Sequence, residues 1–154
     1  MLAPILMGLV GGQRAMTPLA TVSIAAARGE LPADNGALKI LARPTVAAAT
    51  LALAIAEMAG DKQKTAPDRI VAIGLTARFI TSAIAGMALA PRRQRWAAAA
   101  VGGVTAVIAS YPGWRLRMAA MDHQGQTPTG FVEDVAVIAA AATIIRRRDQ
   151  IVDA

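Results

Sequence analysis

The stretch EMAGDKQKTAPDRIVAIGLTAR, residues 57–78, decides the fold prediction. It is a short charged segment between two hydrophobic runs. Glu57 lies at the end of the first run, and Arg78 lies about two turns inside the second at ~3.6 residues per turn. Two apolar runs joined in this way predict two membrane-spanning helices and a polar loop at Gly60–Arg69.

The composition predicts an integral membrane protein. The chain has 154 residues, of which 55% are hydrophobic and only 3% aromatic, and its mean hydropathy is +0.47. A soluble domain of this length has too little interior for so much apolar surface, so most of that surface is expected to face lipid. Abundant alanine and glycine predict smooth helices that pack closely and associate as a homo-oligomer.

Five hydrophobic segments predict an all-α membrane bundle within a single transmembrane domain, residues 1–154. The segments are about 2–27, 38–59, 70–90, 96–112 and 131–145. The first is expected to break near Gly11–Pro18, because paired glycines, Arg14 and a proline interrupt it. Whether this segment crosses the membrane or is re-entrant stays open.

Basic residues divide unequally between the two ends of such a bundle. One end would carry Lys62, Lys64, Arg69, Arg115 and Arg117, and the other Arg28, Lys39, Arg43, Arg92, Arg93, Arg95, Arg146, Arg147 and Arg148. The richer end is predicted to be cytoplasmic, and so is the C-terminus. The N-terminus would lie outside if the first segment crosses, and inside if it is re-entrant.

This topology predicts a polar cluster near the outer surface. Its members would share one depth, and they are Glu57, Arg78, Arg115, Glu133 and Asp134. Arg14 would lie closest to the bilayer centre, where a charged side chain usually faces the protein interior and is paired. Arg115, Glu133 and Glu57 also fit ordinary interfacial positions.

Several motifs resemble one bacterial membrane family, the domain of unknown function 4126. They are GGQRAMTP, AEMAGDKQKTAPDR, the helix of Arg78, PGWRLR and FVEDVAV, which together span nearly the whole chain. The matching positions include Arg14, Thr17, Pro18, Glu57, Asp61, Lys62, Pro67, Arg69, Arg78, Gly113, Arg115, Glu133 and Asp134. Gln63 and Lys64 depart from the family pattern and make the loop more basic. The resemblance implies a multi-pass protein of the bacterial inner membrane and implies no reaction.

Other function classes lack support in the sequence. There is no cysteine, and the one histidine, His123, lies in a predicted loop, so neither a disulfide nor a metal site is expected. Phosphate-binding, metalloprotease and nucleophile-elbow motifs are absent, so an enzyme and a cofactor are not expected. The net charge of +6 is interpreted as membrane anchoring rather than nucleic-acid binding.

Two functional hypotheses remain. The first is a small transporter or channel whose charged, outward-facing cavity takes a small anion or a protonatable solute. The second is a structural protein, or one that binds lipids or a partner, in which the buried charges form a stabilising ion-pair network.

Overall fold

The computed structural model describes residues 1–61 and 71–152, and this part of the chain is almost entirely helical. Six α-helices follow one another in these residues: α1 (Leu2–Gln13), α2 (Met16–Ala27), α3 (Pro44–Gly60), α4 (Ala72–Ala88), α5 (Arg95–Gln124) and α6 (Gln126–Val152). Short 3-10 helices at Lys39–Ala42 and Arg92–Gln94 lie in the connections. The all-α class predicted from the sequence is confirmed.

Helices α5 and α6 form an antiparallel hairpin that turns at Gly125. The glycine has φ +81°, a left-handed conformation that favours a residue without Cβ. Arg117 Nη1 lies 2.7 Å from Glu133 Oε2 across this turn. In one continuous helix these residues would be about 24 Å apart at 1.5 Å per residue, so the chain reverses at Gly125.

Helix α1 runs parallel to α5. A Cβ on Gly8 would lie 2.7 Å from the carbonyl oxygen of Gly102, and one on Gly12 would lie 2.6 Å from Ala109 Cβ. A later residue of α1 contacts a later residue of α5, so the two helices run in the same direction.

Helix α2 runs parallel to α6, and therefore antiparallel to α1. Arg14, just before α2, pairs with Asp134 near the start of α6, whereas Arg28, just after α2, lines a groove with Arg146 near the other end. The interruption predicted near Gly11–Pro18 is present between Gln13 and Met16. It is a turn that folds the first segment back on itself, so 2–27 is a helical hairpin and not one span.

The connection between α2 and α3 and the connection between α4 and α5 meet at one end of the molecule. The amide of Gly36 donates to the carbonyl of Ala90 at 2.8 Å, and that of Arg92 donates to Asp34 at 2.8 Å. We call this the basic end; its described basic residues are Arg28, Lys39, Arg43, Arg92, Arg93, Arg95, Arg146 and Arg147. The turn between α1 and α2 lies at the opposite end of the hairpin and is called the hairpin tip.

Small residues let the helices touch backbone to backbone. A Cβ on Gly86 of α4 would lie 2.4 Å from the carbonyl oxygen of Ala98 in α5, and one on Gly102 would lie 2.7 Å from that of Ser82. Gly8 and Gly12 pack against α5 in the same way. The abundance of small residues predicts close packing between copies of the chain. In the structure, these small-residue faces make contacts within one chain.

The last two helices are longer than the predicted segments 96–112 and 131–145. Helix α5 continues through Pro112 to Gln124, and α6 begins at Gln126. A proline removes one backbone hydrogen bond and disfavours a helix interior, but packing can outweigh that cost, and Gly113 lies directly against the side chain of Gln13.

One stretch of the described residues, Thr127–Arg147 in α6, is long and apolar enough by length and composition to cross a membrane. Four shorter apolar helices accompany it, namely α1, α2, α3 and α4.

A substitution at Gly86 tests the close packing of α4 on α5. Gly86→Ala is expected to lower the free energy of unfolding by about 1–3 kcal/mol, because the new methyl group meets backbone that cannot rotate away. Gly60→Ala is the matched control, since no atom of another described element lies within 4 Å of its added Cβ. The measurement is denaturation of both purified variants, and equal stabilities would contradict the packing.

Candidate functional site

The backbone at the hairpin tip is bound by a carboxylate from another helix. Arg14 is extended, with φ −138° and ψ 118°. The amides of Ala15 and Met16 donate to the two carboxylate oxygens of Glu57 at 2.7 and 2.8 Å. The first amides of a helix lack helical partners and carry partial positive charge. Glu57, near the end of α3, therefore caps α2 across the tip.

The Arg14 side chain contacts three carboxylates. Its Nε donates to Asp134 Oδ1 at 2.7 Å, its Nη1 pairs with Asp61, and its Nη2 lies 3.6 Å from Glu133 Oε2. Only 1% of this side chain is exposed. A buried guanidinium is tolerated only with such opposite charges around it.

Arg117 completes the network. Its Nη1 lies 2.7 Å from Glu133 Oε2 and 2.5 Å from Asp61 Oδ2, and its Nη2 donates to the Asp61 carbonyl at 3.2 Å. We call Arg14, Asp61, Arg117, Glu133 and Asp134 the ionic cluster. It joins the hairpin tip, the residue after α3, the C-terminal third of α5 and the N-terminal third of α6.

Arg78 and two hydroxyl groups lie beside the tip. A Cβ on Gly11 would fall 1.9 Å from Ser82 Oγ, so Ser82 of α4 packs directly on α1. Arg78 is buried one turn before Ser82 in α4. Because α4 runs antiparallel to α1, Arg78 lies closer to the hairpin tip than Ser82 does. The hydroxyls of Thr17 and Ser82 are buried without a hydrogen-bond partner among the described atoms.

The structure brings most of the predicted site residues together and corrects one. Glu57, Asp61, Glu133, Asp134 and Arg14 meet at the tip, with Thr17 and Arg78 beside it. Lys62 and Arg69 lie outside the described residues. Arg115 was expected in the cluster but is exposed. The arginine of α5 in the cluster is Arg117, which was not singled out from the sequence.

A periodic signal in the sequence identifies Arg117. Buried small residues of α5 recur at alternating steps of three and four positions, and the next step of four reaches 117; the series is Gly103, Ala106, Ser110 and Gly113. Residue 115 is about 200° from residue 117 around the helix at ~100° per residue, so it faces away. The same spacing of three or four residues applies to α6. Asp134 lies three residues before Val137, which begins the buried stripe Val137, Ala141 and Ile144.

The part of the chain that the structure describes offers no metal site. Within residues 1–61 and 71–152, no group of three or more histidine, cysteine, aspartate or glutamate side chains is arranged to hold a metal ion. The carboxylates of the ionic cluster contact arginines instead.

Fold and site together define an all-helical protein with a folded-back first segment and a buried ion-pair cluster at its tip. Residues 1–146 match the family described as Domain of unknown function (DUF4126), and the chain belongs to that family. No curated protein and no solved structure matches the chain. The family resemblance seen in the motifs is thereby confirmed.

Two neighbouring arginines test the cluster. Arg117→Ala is expected to cost about 3–5 kcal/mol of unfolding free energy, because it removes a buried guanidinium and leaves the partly buried carboxylates of Asp61 and Glu133 without this partner. Arg115→Ala, on the exposed face of the same helix, is expected to change stability by about 0.5 kcal/mol or less. Denaturation of the two variants in the same detergent measures both, and the reverse order would refute this assignment.

Proposed function

We propose that the chain is a multi-pass membrane protein that transports a small anion or a protonatable solute, with the ionic cluster as its closed gate. The observation that carries the proposal is the position of the cluster. It links the tip of a broken, folded-back helix to three other elements through buried opposite charges.

The distribution of apolar and charged side chains supports a membrane location. Among the fully buried side chains of the described residues, the largest is Arg14, whereas Ile73 is 80% exposed, Leu116 72% and Ile108 64%. Large exposed aliphatic side chains recur on α3, α4, α5 and α6. Water disfavours such an arrangement, whereas lipid favours apolar groups outside and polar groups inside.

Helix lengths support several crossings. Helices α3 and α4 have 17 residues each, at the lower limit of the 17–25 or so residues that span a bilayer. Arg117 lies about 33 Å along α5 from Arg95 at 1.5 Å per residue, close to the ~30 Å hydrocarbon thickness. The ionic cluster would then lie at one membrane boundary and the basic end at the other.

Charge asymmetry supports the orientation. The basic end carries eight described arginine and lysine residues, and such an excess favours the cytoplasmic side of a bacterial inner membrane. Because α1 and α2 form a hairpin, Met1 and α6 both reach this end. In this topology the first segment is re-entrant and both termini are cytoplasmic, with the cluster towards the outside.

A transport role accounts for two features of the tip. Discontinuous helices in transporters present their ends to a solute, and Arg14 lies between two such ends. The buried Thr17 and Ser82 hydroxyls have no hydrogen-bond partner among the described atoms. Because a buried polar group without a partner is costly, they are candidate donors to a solute.

A structural role is the second candidate, and the Glu57 contact favours it. The amides of Ala15 and Met16 donate to the Glu57 carboxylate at 2.7 and 2.8 Å, which is the geometry of a strong helix cap. On this alternative the ionic cluster ties the helices together and never opens.

Thiol labelling distinguishes the two roles, because the native chain contains no cysteine. In intact cells, Thr17→Cys is expected to react slowly with a membrane-impermeant maleimide. Adding Glu133→Gln should increase the rate about tenfold, because the gate loses a charged hydrogen bond that is worth about 1.5–3 kcal/mol. Candidate solutes should then protect the cysteine.

Two control cysteines test the proposed orientation, and the effect of Glu133→Gln tests the structural alternative. Met118→Cys, beyond the cluster on α5, should label from outside, and Arg93→Cys, at the basic end, should not. If Arg93→Cys is labelled and Met118→Cys is not, the orientation is the reverse of the one proposed. If Thr17→Cys stays unreactive while Glu133→Gln lowers only the yield of folded protein, the gate is refuted and the structural role remains.

A further inference from the structure

A groove of about 550 Å³ opens between α2 and α6 at the basic end, away from the ionic cluster. Its floor is apolar, with Ile24 on α2 and Ile138 and Ile145 on α6. Its rim carries Arg28 and Arg146, with Glu30 beside Arg28. The groove therefore combines an apolar channel along two helices with two cations at one end.

We propose that this groove binds one anionic phospholipid, with its phosphate between Arg28 and Arg146 and an acyl chain along the floor. The inference rests on the membrane location proposed above. It adds a ligand class and a site distinct from the tip.

The charges at the rim select an anionic head group. Arg28 Nη1 lies 3.8 Å from Glu30 Oε1, a long contact between exposed side chains. Such a pair contributes little stability, so Arg28 can turn to a phosphate without losing a strong partner. Arginine binds phosphate through paired N–H donors, and Arg146 supplies the second cation on the facing helix.

The floor selects a lipid rather than a free phosphate. Three isoleucine side chains line the groove, Ile24 on α2 and Ile138 and Ile145 about two turns apart on α6. They add hydrophobic contact that only an acyl chain can use. The position is also appropriate, because the basic end is assigned to the cytoplasmic leaflet, whose anionic lipids are attracted by nearby arginines.

Native mass spectrometry of the detergent-purified protein tests the site. Phosphatidylglycerol, phosphatidylcholine and glycerol phosphate are titrated separately. Phosphatidylglycerol is expected to bind about tenfold more tightly than phosphatidylcholine, because each charged hydrogen bond contributes about 1.5–3 kcal/mol. Glycerol phosphate is expected to bind weakly, since it lacks the acyl chains.

Three variants locate the binding. Arg28→Gln with Arg146→Gln should remove the preference, whereas Arg92→Gln with Arg93→Gln, an equal loss of two positive charges outside the groove, should keep it. Ala142→Leu fills the groove without changing charge and should weaken both lipids. Thermal unfolding confirms that each variant remains folded.

Each other outcome overturns the inference. Equal binding of the two lipids, an equal loss of preference in the Arg92→Gln, Arg93→Gln control, or glycerol phosphate binding as tightly as the lipid would each do so. The membrane fraction of expressing cells separates the two proposals. Protein absent from that fraction contradicts the membrane location itself, whereas protein present there without lipid preference contradicts only this site.

Discussion

The ion pairs of Arg14 are the interaction on which the rest of the structure depends. This side chain lies at the turn between α1 and α2, and its partners come from the residue after α3 and from the start of α6. Arg117 of α5 joins the same carboxylates. A turn in the middle of an apolar segment exposes backbone amides and a charge at once. Glu57 binds the amides and the cluster neutralises the charge, so the fold tolerates a break that would otherwise be costly.

Small residues provide the second constraint. The glycines of α1, α4 and α5 let these three helices approach until their backbones touch. Close contact brings Ser82 against Gly11 and positions Arg78 near the tip. Large aliphatic side chains are left on the outer surface. Packing by small residues inside and large apolar residues outside is the arrangement that lipid favours.

Much of this fold follows from the sequence, and the remainder has identifiable physical causes. Apolar runs and the broken first segment predict an all-helical chain with an interruption at Arg14. Composition does not reveal that the interruption reverses the chain, because the reversal depends on the distant carboxylates of Glu57 and Asp134. Pro112 suggested a helix end, yet packing carries α5 past it. Arg115 lies near the predicted end of the fourth segment, whereas the spacing of the buried residues Ser110 and Gly113 indicates Arg117.

The most direct test of the central role of Arg14 is a double-mutant cycle between Arg14 and Asp134. Unfolding free energies are measured for Arg14→Gln, Asp134→Asn and the double variant in one detergent. A direct buried ion pair predicts that the double variant is less destabilised than the sum of the singles, with a coupling of at least about 1 kcal/mol. Additive effects, with a coupling below about 0.5 kcal/mol, would contradict it, because independent sites add within that limit.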